Sequence, residues 1–145
     1  MMLFQIITAS LLTDIASFLV EVIVGTFAFY GAGRMIAGIE AKYTDAFYIA
    51  FIGLLLQLGI DSGIDYCISY FFAGVTLNQA VLLVWRLVAL LATFIAWMIL
   101  VQHFFDCLFT KGLFIIAIAF VVIVVLDYIL GFAFDLVFSY VLPAL

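Results

Sequence analysis

Six polar side chains lie in stretches of sequence that are otherwise almost wholly apolar, and these are the residues that could do chemistry. They are Glu21, Gln57, Asp61, Asp65, Arg86 and Asp127. A charge at the centre of a bilayer costs roughly 2.5–3.5 kcal/mol on insertion scales, so such groups normally face a bundle interior or water. Carboxylates placed there pair with a basic group, become protonated or hold a cation. The six residues are therefore candidates for an ion-pair network or for a cation or proton site.

Arg86 is the only basic residue of the six. One interpretation is a buried ion pair with Glu21 or Asp127, which would fix the register of the helices. The other is that its long side chain reaches out to the membrane surface. Asp61 and Asp65 have a similar alternative, because acids at helix ends can simply be wetted. The sequence leaves these alternatives open.

Other kinds of site find little support. The two cysteines, Cys67 and Cys107, are far apart, and His103 is the only histidine, so neither a zinc site, a redox pair nor a haem site is predicted. Paired aspartates serve the aspartyl peptidases of the bilayer, but the Gly-x-Gly-Asp signature of those enzymes is missing. We therefore expect no catalytic residue, no metal, no cofactor and no enzyme.

The composition defines the class of protein that must position these side chains. Of the 145 residues, 71% are hydrophobic and 9% are charged, whereas soluble domains average about 25% charged. This excludes a soluble domain, a disordered chain and a nucleic-acid binder. A membrane-spanning helix needs ~20 apolar residues, and four stretches are long enough. We predict an all-α, polytopic integral membrane protein, a single transmembrane domain over residues 1–145. The predicted spans are residues 14–38, 45–65, 79–101 and 112–142.

The sequence also predicts where the helices begin and end. Thr44 and Thr110 are the predicted N-caps of the second and fourth helices, and the second helix either ends near residue 65 or continues to Phe72. The fourth run is too long for the bilayer, so it must tilt, protrude or bend, with a bend expected near Gly131. Residues 1–13 are either an interfacial lead-in or the first turns of the first helix.

Each span carries a stripe of small and polar residues at helical spacing, which predicts a compact four-helix bundle with the stripes facing inward. The stripes are Asp14, Ser17, Glu21, Gly25, Ala28 and Ala32; Ala46, Ala50, Gly53, Gln57, Asp61 and Asp65; Arg86, Ala89, Thr93 and Ala96; and Ala117, Val124, Asp127, Gly131 and Asp135. Trp97 and most other Trp and Tyr residues are assigned to the aromatic belt at the membrane surface.

An internal similarity appears when the chain is shifted by 66 positions, because Thr44 then falls on Thr110 and Asp61 on Asp127. This predicts two parallel helical-hairpin repeats, residues 14–72 and 79–142, an arrangement with which transporters build a site at the repeat interface. The alternative is a chance alignment of two apolar sequences.

The basic residues predict the orientation. Arg34, Lys42 and Lys111 lie at the first and third linkers, which the positive-inside rule places in the cytoplasm. Both termini are then outside, the acids occupy the outer half of the bilayer, and the expected location is the plasma membrane.

The expected function is that of an accessory or scaffold subunit of a membrane complex, without catalytic chemistry. Its expected partners are the lipid bilayer and either other membrane subunits or further copies of itself. The alternative is a homo-oligomeric cation or proton pathway that uses the acids, since four spans rarely enclose a pore alone.

Overall fold

The computed structural model describes residues 2–36, 41–76 and 78–141, and within them the side chains of all but residues 2–10, 138 and 141. Its elements are α1 (Met2–Ile36), α2 (Tyr43–Phe71), α3 (Gln79–Phe105), α4 (Phe109–Leu136) and a terminal π-helical turn (Val137–Val141). All four α-helices are long and apolar enough to cross a membrane. The all-α prediction with four spans is confirmed in these terms.

The helices extend beyond most of the predicted spans. Helix α1 is continuous from Met2, so residues 2–13 are its first turns. Helix α2 continues to Phe71, as the longer interpretation predicted, and α3 continues to Phe105. Residues 37 and 38 of the first predicted span lie outside the described residues. Longer helices leave short linkers, which favour antiparallel neighbours.

The predicted helix starts are wrong. The N-caps are Lys42 and Leu108, neither with a side-chain cap hydrogen bond, so the helices begin before Thr44 and Thr110. Hydrogen bonds from the amides of Ala46 and Gly112 to the carbonyls of these N-caps close the first turns instead. Helix α4 remains α-helical through Gly131, and the change in winding comes later, at the π-helical turn.

The helices form a ring in chain order. Helix α1 packs against α2 and α4, and α3 packs against the same two helices. The contacts also give the direction of each helix: Phe29 of α1 stacks on Trp97 of α3, and Phe27 of α1 meets Tyr43 at the start of α2. The fold is an up-and-down four-helix bundle with the first and third linkers at the same end.

The buried core occupies only that end of the bundle. It combines the second half of α1, the first half of α2, the second half of α3 and the first half of α4. The largest side chains that are fully buried there are Phe29, Ile49, Val101 and Ile115. A Cβ added at Gly33 would lie 2.9 Å from the ring of Phe105, so this glycine permits a close approach of α1 and α3. We call this the packed end, and the opposite half the open half.

The small-residue stripes predict the buried faces of α1 and α2 but not that of α4. Their small members Ala28, Ala32, Ala46 and Ala50 are all buried. On α4 the prediction is wrong, because Val124 is 65% exposed. The buried face consists instead of Gly112, Ile115, Ile116 and Ala119. Helix α4 is apolar on nearly every side, so polarity does not mark its inner face.

Several buried positions of the two hairpins coincide at constant offsets, although Val22, Val24 and Thr26 of α1 are buried and their counterparts on α3 are not. The four buried residues of α2 are Ala46, Ile49, Ala50 and Gly53, and each lies 66 positions before a buried residue of α4. In the same way Ala28, Phe29 and Ala32 of α1 lie 69 positions before Trp97, Met98 and Val101 of α3. The two offsets differ because the linker between α3 and α4 is three residues shorter than that between α1 and α2.

Candidate functional site

Between the described helices, three cavities extend into the open half. The Arg86 cavity, of about 590 Å³, lies between α2, α3 and α4 and is lined by Gln57, Asp61, Arg86, Ala89, Leu90, Thr93, Phe94, Trp97, Leu113, Ile116, Ala117 and Phe120. The Glu21 cavity, of about 200 Å³, is lined by Glu21, Val24, Gly25, Leu54, Gln57, Trp97, Phe120, Ile123 and Asp127. The α1–α4 groove, of about 410 Å³, is lined by Thr13, Ala16, Ser17, Val20, Glu21, Asp127, Leu130 and Phe134. All three are mostly apolar, with a few polar groups each.

Five of the six candidate polar residues line these cavities. Gln57, Asp61 and Arg86 all line the Arg86 cavity. Glu21 and Asp127 both line the Glu21 cavity, and both also line the α1–α4 groove. The sequence therefore predicted two sets of side chains that the fold does bring together.

Asp65 lines none of these three cavities. Its side chain is exposed on α2, and its backbone carbonyl accepts a hydrogen bond of 2.8 Å from the hydroxyl of Ser69. Within the described part of the chain, no ion pair joins Arg86 to an acid, although Arg86 and Asp61 line the same cavity. Arg86 and Asp61 are both exposed to the open half.

Trp97 belongs to the site, although none of the predicted stripes of small and polar residues includes it. Trp97 is only 3% exposed, so its assignment to an aromatic belt at the membrane surface is wrong. It lies eight residues before the end of α3, which is ~12 Å along the helix axis. One face of its ring stacks on Phe29, with centroids 4.9 Å apart and planes 11° apart, and Phe120 meets it edge-on at 5.9 Å. Trp97 lines both the Arg86 cavity and the Glu21 cavity.

The indole N–H of Trp97 is buried and has no hydrogen-bond acceptor in the described part of the chain. Gly53 of α2 packs over the face of the six-membered ring, where an added Cβ would overlap Cε3, Cζ3 and Cη2. Buried Trp N–H groups usually have a partner, whereas this one has none among the described residues.

The offsets that relate the hairpins also relate the two cavities. Asp61 of the Arg86 cavity lies 66 positions before Asp127 of the Glu21 cavity, and Glu21 lies 69 positions before Leu90. Further pairs are Val24 with Thr93, Gly25 with Phe94, Leu54 with Phe120 and Gln57 with Ile123. The two cavities differ in charge. The Arg86 cavity is lined by Asp61 and Arg86, whereas the Glu21 cavity is lined by Asp127 and Glu21.

The packed end carries a different cluster of polar groups. The guanidinium of Arg34 donates a hydrogen bond of 2.7 Å to the hydroxyl of Tyr30 and lies over its ring, 5.5 Å from the centroid. Cys107, in the linker between α3 and α4, is half-buried beside Val101, and burial raises the pKa of its thiol. Cys67 lies near the opposite end, in the last turns of α2, and both thiols are free.

The fold and the cavities define an α-helical bundle with four helices long and apolar enough to span a membrane, packed at one end and open at the other. Comparison with protein-family models, with curated proteins and with solved structures finds no match to this chain. No group of three or more His, Cys, Asp or Glu residues arranged to hold a metal ion occurs among the residues that the structure describes. The function must therefore be argued from the cavities.

Proposed function

We propose that the protein is an integral membrane protein of the plasma membrane that works as a non-catalytic subunit of a larger membrane assembly. The observation that carries this proposal is the contrast between the two ends of the bundle. All the helices contribute buried side chains at the packed end, while Arg86, Asp61, Glu21 and Asp127 lie among apolar surfaces in the open half. Charges in a bilayer need a partner or water, and a neighbouring subunit supplies both burial and polar partners.

The orientation that we propose places the packed end in the cytoplasm and both termini outside. Arg34, Lys42 and Lys111 lie at or beside the two linkers of the packed end. Asp61 and Asp127 lie in the open half. Three of the four basic residues thus lie at this end, as the positive-inside rule requires of cytoplasmic linkers.

We further propose that the two hairpins, residues 14–72 and 79–142, are parallel repeats. The four buried positions that α2 shares with α4, and the paired linings of the two cavities, support this relationship. In membrane proteins, repeats of this kind place binding sites at their interface.

The experiment that tests the assembly is native mass spectrometry of the protein extracted gently from its own membrane. We expect other polypeptides, or further copies of this chain, to leave the bilayer with it in a fixed ratio. A monomer that accounts for all of the extracted material would contradict the proposal.

A second candidate function, a homo-oligomeric cation or proton pathway, is favoured by one observation. Glu21 and Asp127 line two adjoining spaces, so a path from the α1–α4 groove to the Glu21 cavity passes both carboxylates. For this function Glu21→Gln and Asp127→Asn should each abolish ion flux into liposomes. Asp135→Asn is the matched control, because Asp135 lies on the same helix as Asp127 but lines none of the three cavities. Flux that survives both substitutions would exclude the pathway.

A further inference from the structure

The Arg86 cavity is lined by two opposite charges that are not paired with each other. Its volume of about 590 Å³ lies within the ~300–1,000 Å³ typical of ligand pockets. Arg86 and Asp61 are the only charged residues of its lining. No ion pair joins them in the part of the chain that the structure describes, and both side chains are exposed. One cationic and one anionic group are therefore available to a ligand.

The two charges lie at nearly the same level of the bundle. The contact between Gly53 of α2 and the ring of Trp97 on α3 gives a common reference point. Asp61 lies eight residues beyond Gly53, which is ~12 Å along α2, and Arg86 lies eleven residues before Trp97, which is ~16 Å along α3. Because the two helices are antiparallel, both displacements point into the open half. The charges thus form one layer across α2 and α3, which we call the charged layer.

Apart from Gln57 and Thr93, the rest of the cavity wall is apolar. Its apolar members include Leu90, Phe94, Leu113, Ile116 and Phe120. The ring of Phe120 contacts that of Trp97 edge-on, and Leu113 lies seven residues earlier on α4, ~10 Å toward the packed end. The apolar lining therefore extends along the helices from the charged layer toward the packed end. This shape suits a hydrocarbon chain that lies parallel to the helices.

The charged layer lies in the outer part of any bilayer that these helices span. Helices α2 and α3 have 29 and 27 residues, or about 40 Å each, whereas the hydrocarbon core is ~30 Å thick. Their last turns therefore extend into the headgroup region. Arg86 lies seven residues from the outer end of α3, and Asp61 lies ten residues from the outer end of α2. A lipid with its chain in the cavity would bring its headgroup to both.

We propose that the Arg86 cavity binds a zwitterionic phospholipid of the surrounding bilayer. One acyl chain lies along the apolar lining, the phosphate pairs with the guanidinium of Arg86, and the cationic amine of the headgroup pairs with the carboxylate of Asp61. An anionic lipid would satisfy Arg86 but would be repelled by Asp61, so charge complementarity favours the zwitterion. This inference rests on the proposed insertion into a bilayer, but it does not rest on the proposed assembly.

Two lysophospholipids that differ only in their headgroups test the charge pairing. Lauroyl lysophosphatidylethanolamine is zwitterionic, and lauroyl lysophosphatidylglycerol has the same chain and phosphate without the cation. Their competition is measured by native mass spectrometry on the purified full chain, in an uncharged detergent at neutral pH. We expect the ethanolamine probe to bind roughly two- to fivefold more tightly, the range of an exposed ion pair.

Three substitutions test the role of each charge. In Asp61→Asn the preference for the ethanolamine probe should disappear. Asp65→Asn is the matched control and should retain the preference, because Asp65 is exposed one turn further along α2 and lines none of the three cavities. Arg86→Gln should weaken binding of both probes by a similar factor, since both carry the phosphate.

Two substitutions on α4 test the location. Ala117 lines the Arg86 cavity, whereas Ala133 is exposed on the same helix and lines none of the three cavities. Ala117→Phe should reduce binding of both probes at least tenfold, because the larger side chain occupies the space of the acyl chain. Ala133→Phe should leave binding unchanged.

Three outcomes would overturn the proposal: binding of the glycerol probe as tight as that of the ethanolamine probe, equal effects of Asp61→Asn and Asp65→Asn on the preference, and equal effects of the two alanine substitutions. Loss of a partner polypeptide from Ala117→Phe, with no loss of probe, would also overturn it, because the cavity would then hold protein. Failure of the assembly proposal is distinguishable, since a purified monomer that binds the ethanolamine probe selectively retains the site without any partner.

Discussion

The six-membered ring of Trp97 on α3 packs against Gly53 on α2, so closely that a Cβ at position 53 would overlap Cε3, Cζ3 and Cη2. The same ring stacks on Phe29, with centroids 4.9 Å apart, so it is not free to move aside. The glycine thus sets how closely the two helices approach.

Gly53→Ala should therefore destabilise the bundle. Overpacking against a fixed aromatic ring costs about 1–3 kcal/mol, and we expect the free energy of unfolding in detergent to fall by that amount. Gly59→Ala on the same helix is the control, because no atom lies within 4 Å of its added Cβ. The control should keep or raise stability, since alanine favours helix over glycine by ~1 kcal/mol. Equal losses in the two variants would contradict the packing argument.

The orientation proposal predicts which linkers react from outside the cell. We expect a membrane-impermeant maleimide to label Thr76→Cys in intact cells, in a chain whose native cysteines are replaced by alanine. Leu108→Cys should be labelled only after the membrane is permeabilised. Both parent side chains are exposed and lie in linkers at opposite ends of the bundle. Labelling in the reverse order would invert the proposed orientation.

Cys107 should react slowly at neutral pH. Burial raises the pKa of its thiol above the ordinary value of 9.0, and the nearby charge of Lys111 partly opposes this. A raised pKa leaves less of the reactive thiolate. In detergent, the rate of alkylation of Cys67→Ala by iodoacetamide should rise about tenfold per pH unit from pH 7 to pH 9, without a plateau.

Removing the charge of Lys111 gives the matched comparison for that thiol. Lys111→Gln should raise the pKa of Cys107 further and slow alkylation at each pH below it. Lys42→Gln removes a charge at the same end of the bundle that is not among the charges acting on the thiol, so it should leave the rate unchanged. An alkylation rate of Cys67→Ala that stops rising below pH 9 would contradict a raised pKa of the Cys107 thiol.

Asp106 ends α3 in the left-handed conformation, with φ 46° and ψ 52°. Non-glycine residues pay roughly 1–2 kcal/mol there, and a β-branched side chain is the least suited. We expect Asp106→Val to lower the thermal midpoint in detergent and Asp106→Gly to maintain or raise it. Leu108→Val is the control, since residue 108 has an ordinary φ of −68°. A stable Asp106→Val variant would contradict this account.

The sequence predicted the number of helices and the inner faces of α1 and α2, because these features follow from the distribution of polar and apolar residues. Helices α1 and α2 alternate small or polar residues with large ones, so Ala28 and Ala50 could be assigned to the core. Helix α4 is apolar throughout, and its buried face depends on which neighbours it meets. The cap predictions at Thr44 and Thr110 failed because each helix begins at the preceding aromatic residue.

The charged residues of the candidate site were predictable from the sequence, but the burial of Trp97 was not. Burial of Trp97 depends on the stack with Phe29 and on the small residue at position 53, neither of which lies near it in the sequence. One signal was available, because Arg86, Thr93 and Trp97 continue one stripe at helical spacing. The general expectation that tryptophan marks the membrane surface outweighed that signal.

Gln57, Trp97 and Phe120 form a common wall between the Arg86 cavity and the Glu21 cavity, since all three residues line both spaces. A molecule that displaces any of these side chains from one side changes the shape of the space on the other side. Thermodynamic linkage then requires that occupancy of the first cavity alters affinity in the second by the same factor as the reverse. The uncharged partition thereby couples the arginine-bearing compartment to the acidic one without any contact between their charges.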